Sequence, residues 1–239
     1  MTCRRGLAGV ALAACLSFSA VLADEAGPRE ALGTLKAGND RFARNASVPV
    51  SIAPARRQEL SREQQPLAMV LSCADARVPP ELIFNVGLGD LYVVRTAGHV
   101  ADKAVLGTLE YGAGTLHIPL LVVLGHESCD IVRAAGDGEG EGEAGGPNQE
   151  YLRKAIQESA EGRSAEDRNQ LRAAVLANVE HVINGTLAGS DTLRNLVDAG
   201  ELQVVGGYYE LVSGRVMFSE PVVAASPAAR SAAAAKGQH

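Results

Sequence analysis

Five residues in this chain have the types and spacing to do chemistry together. Cys73 closes a short apolar run in "VLSCADARVPPE", and Asp75 and Arg77 follow it at alternate positions. Far downstream, "GHESC" places His126 and Cys129 three apart. If Cys129 opens a helical turn, those two side chains share one face and can grip one ion. Two thiolates and one imidazole make a Cys2His set that suits zinc by softness and geometry, with a fourth position open as in catalytic sites. In an extended segment Cys73, Asp75 and Arg77 point the same way. Asp75 then reaches the open position or accepts a hydrogen bond from a zinc-bound water, and Arg77 holds its carboxylate by a bidentate pair.

The same residues admit plainer readings: a structural Asp75–Arg77 ion pair, and a Cys73–Cys129 disulfide. The amino terminus strengthens the second. "MTCRR" is basic, "GLAGVALAACLSFSAVLA" is apolar and "DEAGP" turns polar, which is the layout of a secretory signal over 1–23 with Val21 and Ala23 before the cut. A lipoprotein site at Cys15 competes less well, because "LSFSAVLA" beyond it stays apolar. As an uncleaved membrane anchor the run is barely long enough. Cleavage removes Cys3 and Cys15, leaving Cys73 and Cys129, and takes away Arg4 and Arg5 but no acid, so the net charge goes from −6 to −8. Two cysteines in an oxidising compartment read by default as one disulfide. The residues alone therefore leave zinc and disulfide side by side.

The elements that must position these side chains alternate in type. Apolar spacing predicts a helix over 28–45, a Pro-rich connector with a helical turn over 47–66, and buried strands over 67–73, 91–97 and 118–126. Helical periods cover 102–116, 128–136, 148–162, 166–187 and 190–199. "LQVVGGYYELVSGRVMFS" reads as a strand, a turn at "SG" and a return strand. The acidic, Gly-rich 137–149 reads as a surface loop whose acids lack calcium-loop spacing, and the tail 224–239 as unstructured. Strand alternating with helix implies an α/β fold with a mostly parallel central sheet flanked by helices, in one domain over 24–223. Ligands of such sheets gather at the carboxyl ends of strands, where Cys73, His126 and Cys129 fall. With 46% apolar residues the chain supports a full core, and its negative charge without a basic stripe excludes a nucleic-acid binder.

"CADARVPPELIFNVGLGDLYVVRTAGH", "LEYGAGTLHIPLLVVLGHESCDIVRAA" and "VVGGYYELVSG", with "GNDRF" at 38–42, closely resemble the beta class of carbonic anhydrases over about 30–220. The resemblance implies one Zn2+ per subunit on Cys73, His126 and Cys129, Asp75 and Arg77 as catalytic dyad, and reversible hydration of CO2 to bicarbonate and a proton. It also implies a closed state of some members, in which Asp75 itself ligates zinc. By alignment Gln64, Tyr92 and Tyr111 line the CO2 pocket, with Gly98 and Asp130 beside it. It implies a homodimer or higher homo-oligomer whose "GNDRF" helix embraces the partner, in the periplasm or secreted, and free of membrane once the signal is cut. Some relatives hydrolyse CS2 or COS at the same zinc, and an exported non-catalytic relative with a Cys73–Cys129 disulfide is the reading from another class.

Several positions depart from the family pattern. Ala74 and Ala76 stand where Ser is frequent, Asn85 where Asp is usual, and His99 where many members have Asn. His99 reads as a structural residue before a proton shuttle, and His117, His181 and His239 as structural or surface residues. The absence of Trp removes a residue that the inhibitory bicarbonate site of some members uses. Asp130 follows ligand Cys129 where Gly is usual. It caps a helix start favourably, or crowds the pocket and opposes bicarbonate. Turnover is expected to rise in an Asp130→Gly variant, and equal or lower turnover would reject that expectation.

Overall fold

The computed structural model describes residues 27–136, 146–160 and 167–222. The leader reading of 1–23 with Cys3 and Cys15, most of the acidic loop 137–149, the tail 224–239 and His239 fall outside these residues.

The central strands are built from almost wholly apolar runs. "AMVLSC" forms β1 (Ala68–Cys73) and "LLVVLGH" forms β3 (Leu120–His126), both buried at every position. A strand covered on both faces needs continuous apolar sequence rather than alternation. Edge strand β2 (Leu91–Thr96) is half-buried, β4 (Gln203–Tyr209) is buried but for its first residue, and short β5 (Val216–Phe218) closes the other edge. The order is β2-β1-β3-β4-β5, parallel through β4 and antiparallel at β5. After β1 the chain adds β2 on one side and then β3 on the other, so the order reverses between β1 and β3. Their carboxyl ends form the crevice where such sheets bind ligands.

Eight helices cover the described sheet. α1 (Pro28–Ala43), α2 (Pro54–Leu60) and α3 (Pro80–Ile83) come first, each with Pro in its first turn. α4 (Lys103–Gly114), capped by Asp102, joins β2 to β3. α5 (Asp130–Gly136), α6 (Pro147–Ala160), α7 (Arg168–Gly189, capped by Asp167) and α8 (Asp191–Ala199, capped by Ser190) join β3 to β4. Met69, Leu71, Leu121 and Val123 face α4, α7 and α8, and Val70, Leu120, Val122 and Leu124 face α1 and α3. By the same two-residue alternation Cys73 lies on the α7 side.

Three expectations change in detail. α6 begins at Pro147, one residue before the expected helix start and inside the expected loop, because Pro is well suited to the first helical position. The helical turn expected in the connector is α2, but α3 directly after the dyad was not anticipated. Asn85 is a fit rather than an anomaly. Its φ is +46°, a conformation Asn tolerates, its Oδ1 accepts from Arg41 Nε and Val48 N at 3.0 Å each, and its Nδ2 donates to Val48 O at 2.9 Å. An ionised Asp offers no such donor.

"GNDRF" also has a role inside the chain. Gly38 lets α1 lie directly on the backbone of Phe84, where a Cβ would stand 1.8 Å from the carbonyl oxygen. Buried Asn39 donates to Ile83 O and Gly214 O and accepts from Val216 N, tying α1 to α3 and to the β4–β5 turn.

Candidate metal centre

Cys73, His126 and Cys129 meet at the crevice between β1 and β3. They are 4%, 0% and 1% exposed, and their ligand atoms all lie within 4.8 Å of one another. Cys73 and His126 are the last residues of adjacent strands, while Cys129 arrives through a tight turn in which Ser128 takes φ +54° just before α5. The two sulfurs stand 4.0 Å apart and both cysteines are free. That is about twice a disulfide bond and close to the ~3.8 Å edge of a tetrahedron with zinc–sulfur bonds of about 2.3 Å. The disulfide alternative is therefore not the arrangement found.

The imidazole is oriented for a metal. His126 Nδ1 lies 2.9 Å from Glu127 O, and a carbonyl only accepts, so Nδ1 carries the proton and donates. Nε2 is then left bare, buried and without a hydrogen-bond partner beside the sulfurs. Glu127 is itself fixed: its amide donates to Tyr209 O at 2.8 Å and its Oε2 accepts from Leu211 N at 3.0 Å. An unpartnered acceptor facing two thiols, in a soft N/S donor set, fits zinc.

Without a metal the two thiols share one charge. Cys73 is drawn down to about 3, first by its Cys129 partner, then by His126 and by the amides of Asp75 and Gly98, against the opposing effect of burial. Cys129 is pushed up by the Cys73 sulfur and by burial, although the amides of Val132 and Ile131 oppose this.

Asp75 and Arg77 pair, although through a turn after β1, with Val78 N donating to Asp75 O at 3.1 Å, rather than along an extended segment. Arg77 Nη2 and Nε donate to Asp75 Oδ2 and Oδ1 at 2.5 and 2.9 Å, and the Arg77 amide donates to Oδ1 at 2.8 Å. These bonds hold the Asp75 carboxyl at about 2. Asp75 Oδ2 lies 4.0 Å from His126 Nε2, so the carboxylate faces the ligand cluster. Arg77 is anchored in turn by donating to Ser128 O at 3.1 Å. Arg95, which sequence reasoning passed over, clamps the same loop by donating from Nε to Cys73 O at 3.0 Å and from Nη2 to Asp75 O at 2.5 Å. Nothing in its spacing marked it, because its targets are backbone carbonyls.

The substrate-pocket residues divide. Gly98 is at the cluster, its amide donating to Cys73 Sγ at 3.4 Å. Asp130 stands at the rim with its side chain 78% exposed, 3.7 Å from Arg77 and 3.8 Å from Arg133. It crowds nothing; it competes with Asp75 for Arg77, and this is the contact through which Asp130→Gly would act. Gln64, Tyr92 and Tyr111 are not brought to the cluster within one chain. Tyr92 pairs in register with Met69, four residues before Thr96 and hence roughly 13 Å below the ligand end. Tyr111 lies in the last turn of α4 and is exposed, as is Gln64 ahead of β1.

His99 is fully buried at φ +49°, with Nε2 3.0 Å from Asn178 Nδ2. His and Asn both tolerate that left-handed conformation, which accounts for the exchange of Asn for His at this position. Burial lowers its pKa from 6.5 to about 4. The unfolded chain thus binds this proton more readily, and stability falls as pH drops from 6.5 towards 4 while being unaffected above 6.5. Urea unfolding at pH 7 and pH 5 should show an acid loss about 2 kcal/mol larger in the parent than in His99→Asn; identical losses would exclude His99 as the cause. His117 is an exposed turn residue at φ +53°, and His181 lies on α7, away from the cluster.

Comparison with known proteins agrees with this geometry. The carbonic anhydrase family model matches residues 68–216. Carbonic anhydrase 2 of Mycobacterium tuberculosis is 36% identical over 203 residues, covering 82% of this chain and 94% of its own. The carbonic anhydrase of Mycolicibacterium smegmatis is 39% identical over 194 residues, covering 79% and 92%. Among solved structures, the Coccomyxa beta-carbonic anhydrase superposes with TM-score 0.66 at 21% identity over 87% of this chain and 98% of its own. A tetrameric beta-carbonic anhydrase of Sordaria macrospora superposes with TM-score 0.61 at 22% identity over 82% and 98%. A fold shared at such low identity, joined to this sequence similarity and to the Cys-His-Cys cluster beside an Asp-Arg pair, places the chain in the beta class of the carbonic anhydrase family.

Proposed function

We propose that this carbonic anhydrase hydrates CO2 reversibly to bicarbonate and a proton at a zinc ion held by Cys73, His126 and Cys129, with Asp75 and Arg77 as its dyad. The observation that carries the reading is His126 Nε2, buried without a partner and facing two free thiols. Zinc bound there supplies Lewis acidity that brings a water's pKa near 7. Asp75 is ionised throughout the neutral range and only accepts hydrogen bonds. Its Oδ2, the oxygen nearer the cluster, takes a proton in a hydrogen bond from the water that reacts with CO2 and so orients it. Arg77 holds that carboxylate by two bonds and opposes its swing onto the metal, the closed arrangement that the motif admits.

The finer readings rest on other observations. The 1–23 layout supports export to the periplasm and a mature chain beginning at Asp24. Among the described residues no helix is long and apolar enough to cross a membrane. Gln64, Tyr92 and Tyr111 lie far from their own chain's cluster, which supports a homodimer or larger assembly in which they reach a neighbouring subunit's pocket.

One experiment tests the reading. Zinc content and CO2 hydration are measured together on periplasmic chain whose first residue is Asp24, for the parent and for Asp75→Asn. The parent should carry one zinc per chain. The variant should keep it and lose about 10²- to 10³-fold in kcat/KM. Parent protein without zinc sinks the proposal, and zinc without CO2 hydration moves it to CS2 or COS hydrolysis.

A further inference from the structure

Behind the metal cluster a chain of buried polar groups is left over from the proposed reaction. It runs from α6 through α7 to the turn that follows β2. Ser159 Oγ shares its one proton between Ile156 O at 2.7 Å and Asn178 Oδ1 at 3.0 Å, and Asn178 Nδ2 donates to Gly98 O at 3.0 Å and meets His99 Nε2 at 3.0 Å. Asn178 and His99 are completely buried and Ser159 is 7% exposed. Buried polar groups cost free energy unless they are bonded, and the bonds made here, which leave His99 Nδ1 alone of these groups without a partner, favour one arrangement of the chain.

The arrangement it fixes is an unusual one. Gly98 and His99 take φ +63° and +49° in succession. A side chain at 98 would meet Ile156 Cδ1 at 2.5 Å and Ile131 Cγ2 at 3.1 Å, so the position is closed to anything but glycine. The result of the turn is that the Gly98 amide points at Cys73 Sγ, 3.4 Å away. Both amide hydrogens of Asn178 are accounted for: one goes to Gly98 O and the other to His99 Nε2, which is then the acceptor nitrogen. Asn178 therefore grips the turn on both residues that carry the left-handed backbone.

We propose that Asn178, braced by Ser159, is a positioning residue that holds the Gly98–His99 turn so that the Gly98 amide stays on Cys73 Sγ and sets how strongly that sulfur donates to the metal. An N–H bonded to a thiolate draws electron density from it, and groups outside the ligand shell tune a metal's acidity and affinity in this way. The position lies on α7, far from every ligand in sequence, and contributes no atom to the ligand set. The inference rests on the ligand set proposed above.

The test uses full-length protein loaded with cadmium-113, whose nuclear spin couples through an N–H···S bond to the amide proton. In the parent, cadmium should couple to the β-protons of Cys73 and Cys129 and also to the Gly98 amide. Asn178→Asp keeps the shape but loses both donors, and the Gly98 coupling should vanish. Ser159→Ala, the milder change if the first variant fails to fold, should weaken it. Val175→Ala, a buried neighbour on α7 that removes packing but no hydrogen bond, should leave it intact. Zinc affinity should fall about tenfold in Asn178→Asp. Protein that takes up no cadmium overturns both the ligand set and this role. Cysteine coupling without Gly98 coupling in the parent, or full Gly98 coupling in Ser159→Ala, overturns the positioning role alone. Equal loss in Val175→Ala does so too, because it would reflect loosened packing.

Discussion

His126→Ala should empty the metal site and bring CO2 hydration down to the uncatalysed rate. The imidazole is completely buried, its Nδ1 is committed to Glu127 O, and its Nε2 has no hydrogen-bond partner. In sites with four protein ligands about 10–16 kcal/mol of zinc binding comes to roughly 2.5–4 kcal/mol per ligand, so losing one of the three here should weaken zinc binding about 10²-fold or more. The remaining pair of sulfurs is then no longer a catalytic set. Because the change also leaves a cavity the size of the ring, added free imidazole should restore part of both zinc binding and activity. Stoichiometric zinc in the unsupplemented variant would show that His126 is not a ligand.

The largest structural effect is expected at a residue that touches no ligand. Gly38→Ala puts a methyl group 1.8 Å from Phe84 O and 2.8 Å from Phe84 C, and both are backbone atoms that cannot rotate aside. α1 must lift from α3, and the three hydrogen bonds of Asn39 beside it are pulled out of line. Such forced overpacking costs about 3 kcal/mol, or roughly a 10 °C drop in Tm for a domain of this size. Thermal unfolding measures it directly, and a Tm within two degrees of the parent (about half a kcal/mol) would mean that α1 is not held as described. Zinc content should be unchanged, which separates this effect from that of His126.

Much of this was legible before the fold was known, for reasons that differ between elements. β1 and β3 announced themselves because strands covered on both faces require unbroken apolar runs. Cys73 and His126 stood out because each ends such a run, at the side of a parallel sheet where ligands bind. The pairing of Asp75 with Arg77 was anticipated for a different reason than the one found: the segment was read as extended, but it turns after Cys73, with Val78 N donating to Asp75 O and the Arg77 amide to Asp75 Oδ1. Arg95, Asn178 and the Gly98 amide were not legible. Their bonds run to backbone atoms or sulfur across sheet and helix, and no local spacing encodes contacts that exist only after β2 and α7 have docked. Gln64, Tyr92 and Tyr111 came from resemblance alone, and within one chain the fold separates them from the cluster. Asp130 was noticed, with a helix cap and a residue that crowds the pocket and opposes bicarbonate left side by side. The sequence could not show that the side chain turns outward at the start of α5 and meets Arg77 rather than the pocket.

The direct pairing of β1 with β3 has a consequence for how the site comes into being. Every ligand, the dyad and Arg95 precede residue 130, whereas Asn178 and Val175, which roof the cluster, belong to α7. The two thiols, 56 residues apart in sequence, are thus brought together wholly by elements that precede α7, while the cover that shuts them from solvent comes from a later part of the chain. Truncating or loosening α7 should therefore leave the ligand set assembled but open to solvent and to oxidants.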